Sequence, residues 1–158
     1  MRIMGIDPGS LKTGFGVLDT VGHRFQYVAS GVIRIPASKT LPQRLAVIAE
    51  GVDELIHTYS PDCVAIEDVF FARNPKSALK LGQARGAAIT VAVMRDIVVS
   101  EYATRLVKQA VVGTGAATKA QVQFMVANIL RLGETPQEDA ADALAVAICH
   151  ANLGDFKQ

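Results

Sequence analysis

Residues 2–20 read RIMGIDPGSLKTGFGVLDT. The apolar run RIMGID reads as a strand, PGSLK as a turn and TGFGVLDT as a second strand. RFQYVASGVIRI, residues 24–35, continues as a third. Turns this short join antiparallel neighbours. The first strand ends on a carboxylate, Asp7, directly before Pro8 and Gly9. An Asp in that place is an ordinary turn former. Whether Asp7 does more depends on the rest of the chain.

Downstream the period changes. Leu41, Leu45, Ile48, Val52, Leu55, Ile56 and Tyr59 recur every three or four residues, with Pro42 near the start, which predicts a helix. PDCVAIED, residues 61–68, is a compact apolar strand. NPKSALKLGQARGAAITVAVM, residues 74–94, is a long helix. Its second half is apolar all round and is expected to be covered on more than one side. Gly82 and Gly86, one turn apart, would admit a close neighbour. IVVSEY, residues 97–102, is a fifth strand, and helices are expected over 104–112, 118–132 and 136–152. Helical connections imply parallel pairing. The expected fold is α/β: a mixed five-stranded sheet flanked by helices on both faces, forming a single domain over residues 1–158.

Half of the 158 residues are hydrophobic, enough for a substantial core, and the formal net charge is only +1. The charge is unevenly spread. Between Phe71 and Lys119 eight basic residues face two acidic ones. That suits an anionic partner, or equally a set of solvated helix faces. Cys63 and Cys149 lack metal-site spacing and read as small core residues in a reducing compartment. Asp7 interrupts any secretory core, and the longest apolar run, GAAITVAVM, is too short to span a membrane. The expectation is a soluble cytoplasmic protein with no membrane association.

Two strands end alike: IMGID on Asp7 and CVAIE on Glu67. In sheets with helical crossovers, ligands bind beyond the carboxyl ends of the strands. The last helical segment, ETPQEDAADALAVAICHAN, adds more acids. Thr135, Pro136 and Glu138 read as N-cap, N1 and N3 of a capping box. Asp139 and Asp142 share one helix face. Asp142 neighbours Ala145, Val146 and Cys149, and an acid on an apolar face is costly unless paired or metal-bound. Glu138, four residues before Asp142, could substitute as a ligand. Carboxylates without histidine suit a hard cation, Mg²⁺ or Mn²⁺, and two such ions can clamp a phosphoryl displacement. His23, His57 and His150 read as bystanders.

Thr118 and Gln121 form another capping box, which puts Lys119 at a helix start, where exposed N–H groups and an ammonium attract phosphate. Lys108 and Arg105 extend the basic surface. EDVFFARNPK sets Phe70 and Phe71 beside Arg73, Asn74 and Lys76. Aromatics among basic residues suit base stacking with phosphate contacts, although loop phenylalanines also anchor loops to cores.

GIDPGSLKTGFGV, AIEDVFFARNPKSALKLGQARG, VKQAVVGTGAATKAQV and QEDAADALAVAICH together resemble the RuvC family of Holliday-junction resolvases, in the family's order and over nearly the whole chain. The resemblance implies a ribonuclease H-like fold and a homodimer that cuts four-way junction DNA by paired symmetric incisions, using Mg²⁺ or Mn²⁺. It implies Asp7, Glu67, Asp139 and Asp142 as metal-binding acids, with histidine replacing Asp139 in some relatives. It implies Phe70 as an aromatic that intrudes among junction bases, Lys108 and Lys119 as lysines near bound DNA, and the helix from Asn74 as the dimer-forming one. RuvA and RuvB are the implied branch-migration partners. DPGSLKTG also resembles the phosphate loop of actin-like ATPases and sugar kinases, which need two such domains around a nucleotide. A non-catalytic junction-binding module would need no carboxylate cluster.

Overall fold

The computed structural model describes residues 1–68 and 74–154. Among them, β1 (Arg2–Asp7), β2 (Lys12–Val21), β3 (Arg24–Arg34), β4 (Cys63–Asp68) and β5 (Val98–Ala103) form one sheet in the order β3-β2-β1-β4-β5. The first three strands pair antiparallel; β1 with β4 and β4 with β5 pair parallel. Gly22, at φ 58°, supplies the left-handed residue of the tight β2–β3 turn. The mixed five-stranded sheet read from the strand and turn pattern is therefore present.

Strand alternation divides the core into two layers. On one face Met4, Ile6, Val17, Val64 and Ile66 pack with α1 (Leu41–Tyr59) and α2 (Pro75–Met94). On the other, Ile3, Leu18, Cys63 and Ala65 pack with α3 (Thr104–Val112), α4 (Lys119–Ile129) and α5 (Glu138–Leu153). From Ala143 to Cys149 every α5 residue is fully buried, so α5 is the central helix of this layer.

Its seat is a strip of glycine. Gly5 of β1 pairs with Gly16 of β2, and Asp7 with Gly14. A Cβ on Gly5 would collide with the backbone of Ala143, one on Gly14 with the backbone of Asp139, and one on Gly16 with the Leu144 side chain. The sheet is bare where α5 crosses it, and the helix backbone descends onto the strands.

Three local expectations are revised. The last helix is not capped by Thr135. It begins at Glu138, with Gln137 as N-cap and no side-chain cap bond. The Pro136 carbonyl instead accepts from Gln123 Nε2 at 3.2 Å, which ties the preceding loop to α4. The α4 helix ends at Ile129 rather than at residue 132, because Arg131 turns left-handed at φ 54°. Finally, α2 is buried through Ala84, Ala88 and Ala92, while Val93 and Met94 are 56% and 78% exposed. Its apolar second half is covered on one side of the chain only.

The contact between α5 and the sheet yields a stability prediction. Gly5→Ala must push α5 off the sheet and is expected to cost about 3 kcal/mol, in the overpacking range. Thermal unfolding checks this; a Tm within 1 °C of the parent, on the order of experimental error, would mean that the helix has slack.

Candidate metal and DNA-phosphate site

Asp7 and Glu67 stand at equivalent ends of adjacent parallel strands. The β1–β4 register runs from Ile3↔Cys63 to Ile6↔Ile66, and one further step sets Asp7 beside Glu67. Ile3, Cys63 and Ala65 belong to the α5 layer, so strand alternation turns Asp7 and Glu67 toward α5 as well. Helix α5 brings Asp142, whose side chain is only 19% exposed. Asp7, Glu67 and Asp142 line one cleft of about 200 Å³ with Thr104, Val107 and Lys108 of α3, Lys119 and Val122 of α4, and Ala145.

Burial gives this cluster its chemistry. Desolvation, then the charges of Glu67, Asp142 and Asp139, push the Asp7 carboxyl up to about 8, against a partial opposing pull from Lys119. Asp142 is raised to about 6, again by burial first, with Lys119 working against it. Lys119 occupies N1 of α4, where the Thr118–Gln121 capping box is formed as expected from sequence. Its Nζ donates to Glu138 and lies 3.6 Å from Asp142 Oδ2. Hydrogen bonding to Glu138 holds the ammonium above its ordinary pKa. Glu138 thus serves as the lysine's partner rather than as a helix cap.

The remaining sequence-predicted residues are placed less centrally. Asp139 is half-buried above Gly14 and acts on Asp7 through its charge, but is not among the residues lining the cleft. Asn74 caps α2, accepting from the Ser77 N–H at 2.8 Å. Lys76 is exposed on the first turn of α2. Phe70, Phe71 and Arg73 lie outside the described residues. His150 is away from the acids, bonded to Tyr102 at 2.8 Å and to Cys63 at 3.2 Å. Burial pushes the thiols of Cys63 and Cys149 up to about 11 and 12, so both are protonated core groups.

The donor set fits a divalent cation in kind. Several part-buried carboxylates share one ammonium contact and carry mutual repulsion. Among the described residues no three of His, Cys, Asp and Glu are already drawn onto one point. A bound divalent ion would offset that mutual repulsion. Thr104, Val107 and Val122 are cleft residues that the sequence reading did not single out. Only the amphipathic spacing of their helices hinted at inward placement.

A stability prediction follows for the metal-free protein. The folded chain holds protons on Asp7 and Asp142 that the unfolded chain, near its ordinary 3.8, releases. Stability should therefore fall as pH rises from about 4 to about 8. Asp7→Asn should flatten this slope and raise Tm at pH 8 by roughly 3–6 °C, about 1–2 kcal/mol. Calorimetry in chelator across this range checks it; a lower Tm for Asp7→Asn at pH 8 would contradict the repulsion.

Comparison with known proteins gives the family of the chain. A model of the family "Crossover junction endodeoxyribonuclease RuvC" matches residues 3–150. The chain is 59% identical over 154 residues to the protein of that name from Teredinibacter turnerae, covering 95% of this chain and 87% of the relative. It is 61% identical over 150 residues to that from Photobacterium profundum, covering 95% and 86%. Among solved structures it resembles Thermus thermophilus RuvC in complex with a Holliday junction substrate, with a TM-score of 0.92 and 35% identity over 99% of this chain and 96% of that one. The yeast mitochondrial Holliday junction resolvase Ydc2 shares the fold at a TM-score of 0.68 and 11% identity, over 98% of this chain and 82% of that one. With a family model matching nearly the whole chain and relatives close to 60% identical, this chain belongs to the RuvC family of crossover junction endodeoxyribonucleases.

Proposed function

We propose that this chain is a structure-specific endonuclease that resolves Holliday junctions by hydrolysing a phosphodiester in each of two strands. The observation that carries the reading is the shared cleft: Asp7, Glu67 and Asp142 face Lys108 and Lys119 across it, in a chain that superimposes on a junction-bound relative. The sugar-kinase alternative requires a second domain closing on a nucleotide. The non-catalytic alternative leaves the acids without a purpose.

Asp7, Glu67 and Asp142, with Asp139 at the rim, would hold one or two Mg²⁺ or Mn²⁺ ions. When bound, such ions supply a polarised phosphate and a nucleophilic water. The protein's own groups do the rest. Lys119, at the start of α4, exchanges Glu138 for a phosphate oxygen when the backbone of DNA enters, and the α4 N–H groups face the same anion. Lys108, from α3, contacts the neighbouring phosphate. The buried carboxylates fix position and charge and need no proton-transfer role. Phe70, Arg73, Asn74 and Lys76 are proposed for the junction bases and flanking phosphates.

The working form is proposed to be a homodimer joined through α2. Leu79, Gly82, Gly86, Thr90 and Val93 fall on one helix face that turns away from the chain's own core. Leu79 is 67% and Val93 56% exposed, and nothing lies within 4 Å of where a Cβ on Gly82 or Gly86 would stand. A two-fold pair of chains presents two identical clefts to a nearly two-fold junction, so paired cuts follow from symmetry. RuvA and RuvB as partners, a single nuclease domain over residues 1–158 and a cytoplasmic location complete the proposal. Among the described residues no helix is long and apolar enough to cross a membrane.

Two outcomes are expected. On synthetic junctions with Mg²⁺, Asp7→Asn should bind within about twofold of the parent and cut at least ~10³-fold more slowly, since a charged donor is lost while the basic surface remains. Undiminished cutting would reject the site. Leu79→Glu should convert the dimer to monomer in sedimentation while keeping the far-ultraviolet circular dichroism of the parent; a dimer that persists would place the interface elsewhere.

A further inference from the structure

The α2 helix reaches the cleft from behind. On its inward side, where Ala84, Ala88 and Ala92 are fully buried and Ala87, Ile89 and Val91 pack beside them, stands one long polar residue, Arg85, whose side chain is 19% exposed. Arg85 Nε donates to the backbone carbonyl of Glu67 at 3.1 Å. Its Nη2 pairs with Glu101 of β5 and lies 3.5 Å from Asp68 Oδ1. Strand alternation explains the arrangement. Glu67 points into the cleft, whereas Asp68 and, across the register Ile66↔Glu101, Glu101 point toward α2. The β1–β4 register ends at Ile6↔Ile66, so Glu67 lies just past the last residue paired with β1 and is held in the sheet on its β5 side alone, opposite Tyr102. One guanidinium therefore grips the carboxyl end of β4 by its main chain and ties it to β5.

We propose that Arg85 is a positioning residue for Glu67: its fork fixes the strand end that carries this carboxylate, and so couples the placement of α2 to the metal-holding cleft. The inference rests on the reading of Glu67 as a metal-holding acid. Arg85 is not among the residues that line the cleft. Its planar, five-donor head makes the carbonyl bond and the carboxylate pair at once, which an ammonium cannot. Groups that orient a metal ligand from behind commonly govern affinity for the ion rather than for the substrate.

The test compares the parent with Arg85→Met and Arg85→Lys. Mn²⁺ binding is read by calorimetry without DNA, and junction binding by gel shift in chelator. Cleavage is then titrated with Mn²⁺. Arg85→Met should weaken Mn²⁺ binding and raise the Mn²⁺ needed for half-maximal cutting by roughly 10-fold or more, with junction affinity in chelator held within about twofold. Arg85→Lys should fail to rescue either metal readout. Parent-like Mn²⁺ binding in Arg85→Lys would show that charge alone suffices and would overturn the proposal. So would lost junction affinity with unchanged Mn²⁺ binding, the signature of a DNA contact. If Arg85→Met does not fold, Glu101→Gln decides. It keeps the carbonyl bond but releases its anchor, and should shift Mn²⁺ half-saturation the same way by about threefold, a fraction of the full effect; no shift would overturn the proposal. A parent protein that binds Mn²⁺ but cuts no junction would refute the proposed function and leave the Mn²⁺ comparison valid. A parent that binds no Mn²⁺ would refute both.

Discussion

The molecule depends on a helix lying directly on a sheet. Helix α5 approaches β1 and β2 so closely that side chains are excluded at Gly5, Gly14 and Gly16. Asp139 emerges from the first turn of that same helix and Asp142 from one turn further on, and Asp7 emerges from the strand beneath. Side chains at these three positions would push the helix off the sheet and hold these carboxylates apart. The glycine seat thus turns three distant pieces of sequence into one cleft. Full burial of Ala143 through Cys149 supplies the apolar contact that keeps the helix down.

That closeness creates a tension. Desolvation and mutual repulsion disfavour ionised Asp7 and Asp142, while the surrounding packing leaves them no room to separate fully. Lys119 relieves part of the strain by reaching Glu138 and approaching Asp142. The same lysine is then near the place where a phosphate would sit. Placing charge where it is unfavourable costs stability, and functional sites often carry such a cost; the proposed cation would offset it. The back of the sheet contributes as well, since Arg85 holds the Glu67 backbone from the face opposite the cleft.

Much of this was legible from local pattern. Alternating and helical periods separated strands from helices, and short turns against helical crossovers set the mixed sheet. An acid at each of two strand ends, and one on an apolar helix face, marked the cleft. Long-range features were harder to read. Gly14 and Gly16 sit two apart in a strand, so they bare one face, but only the partner Gly5 and the crossing of α5 give this meaning. The Thr135 cap failed because α5 begins at Glu138, two residues later than expected, with Gln137 at its N-cap. Arg85 looked like one more basic residue until β4 and β5 met in front of it. The chain alone leaves one face of α2 exposed at Leu79, Val93 and Met94, which is consistent with a covering partner.

The most direct measurement of the central claim is a crystal structure of the protein soaked in Mn²⁺, with anomalous scattering used to locate the ion. The account expects a peak in the cleft bounded by carboxylate oxygens of Asp7, Glu67 and Asp142 together, at about 2.0–2.3 Å as hard oxygen ligation requires, with α5 still seated on its glycines. A peak held by one of these acids alone, or an empty cleft with the ion bound elsewhere, would contradict it.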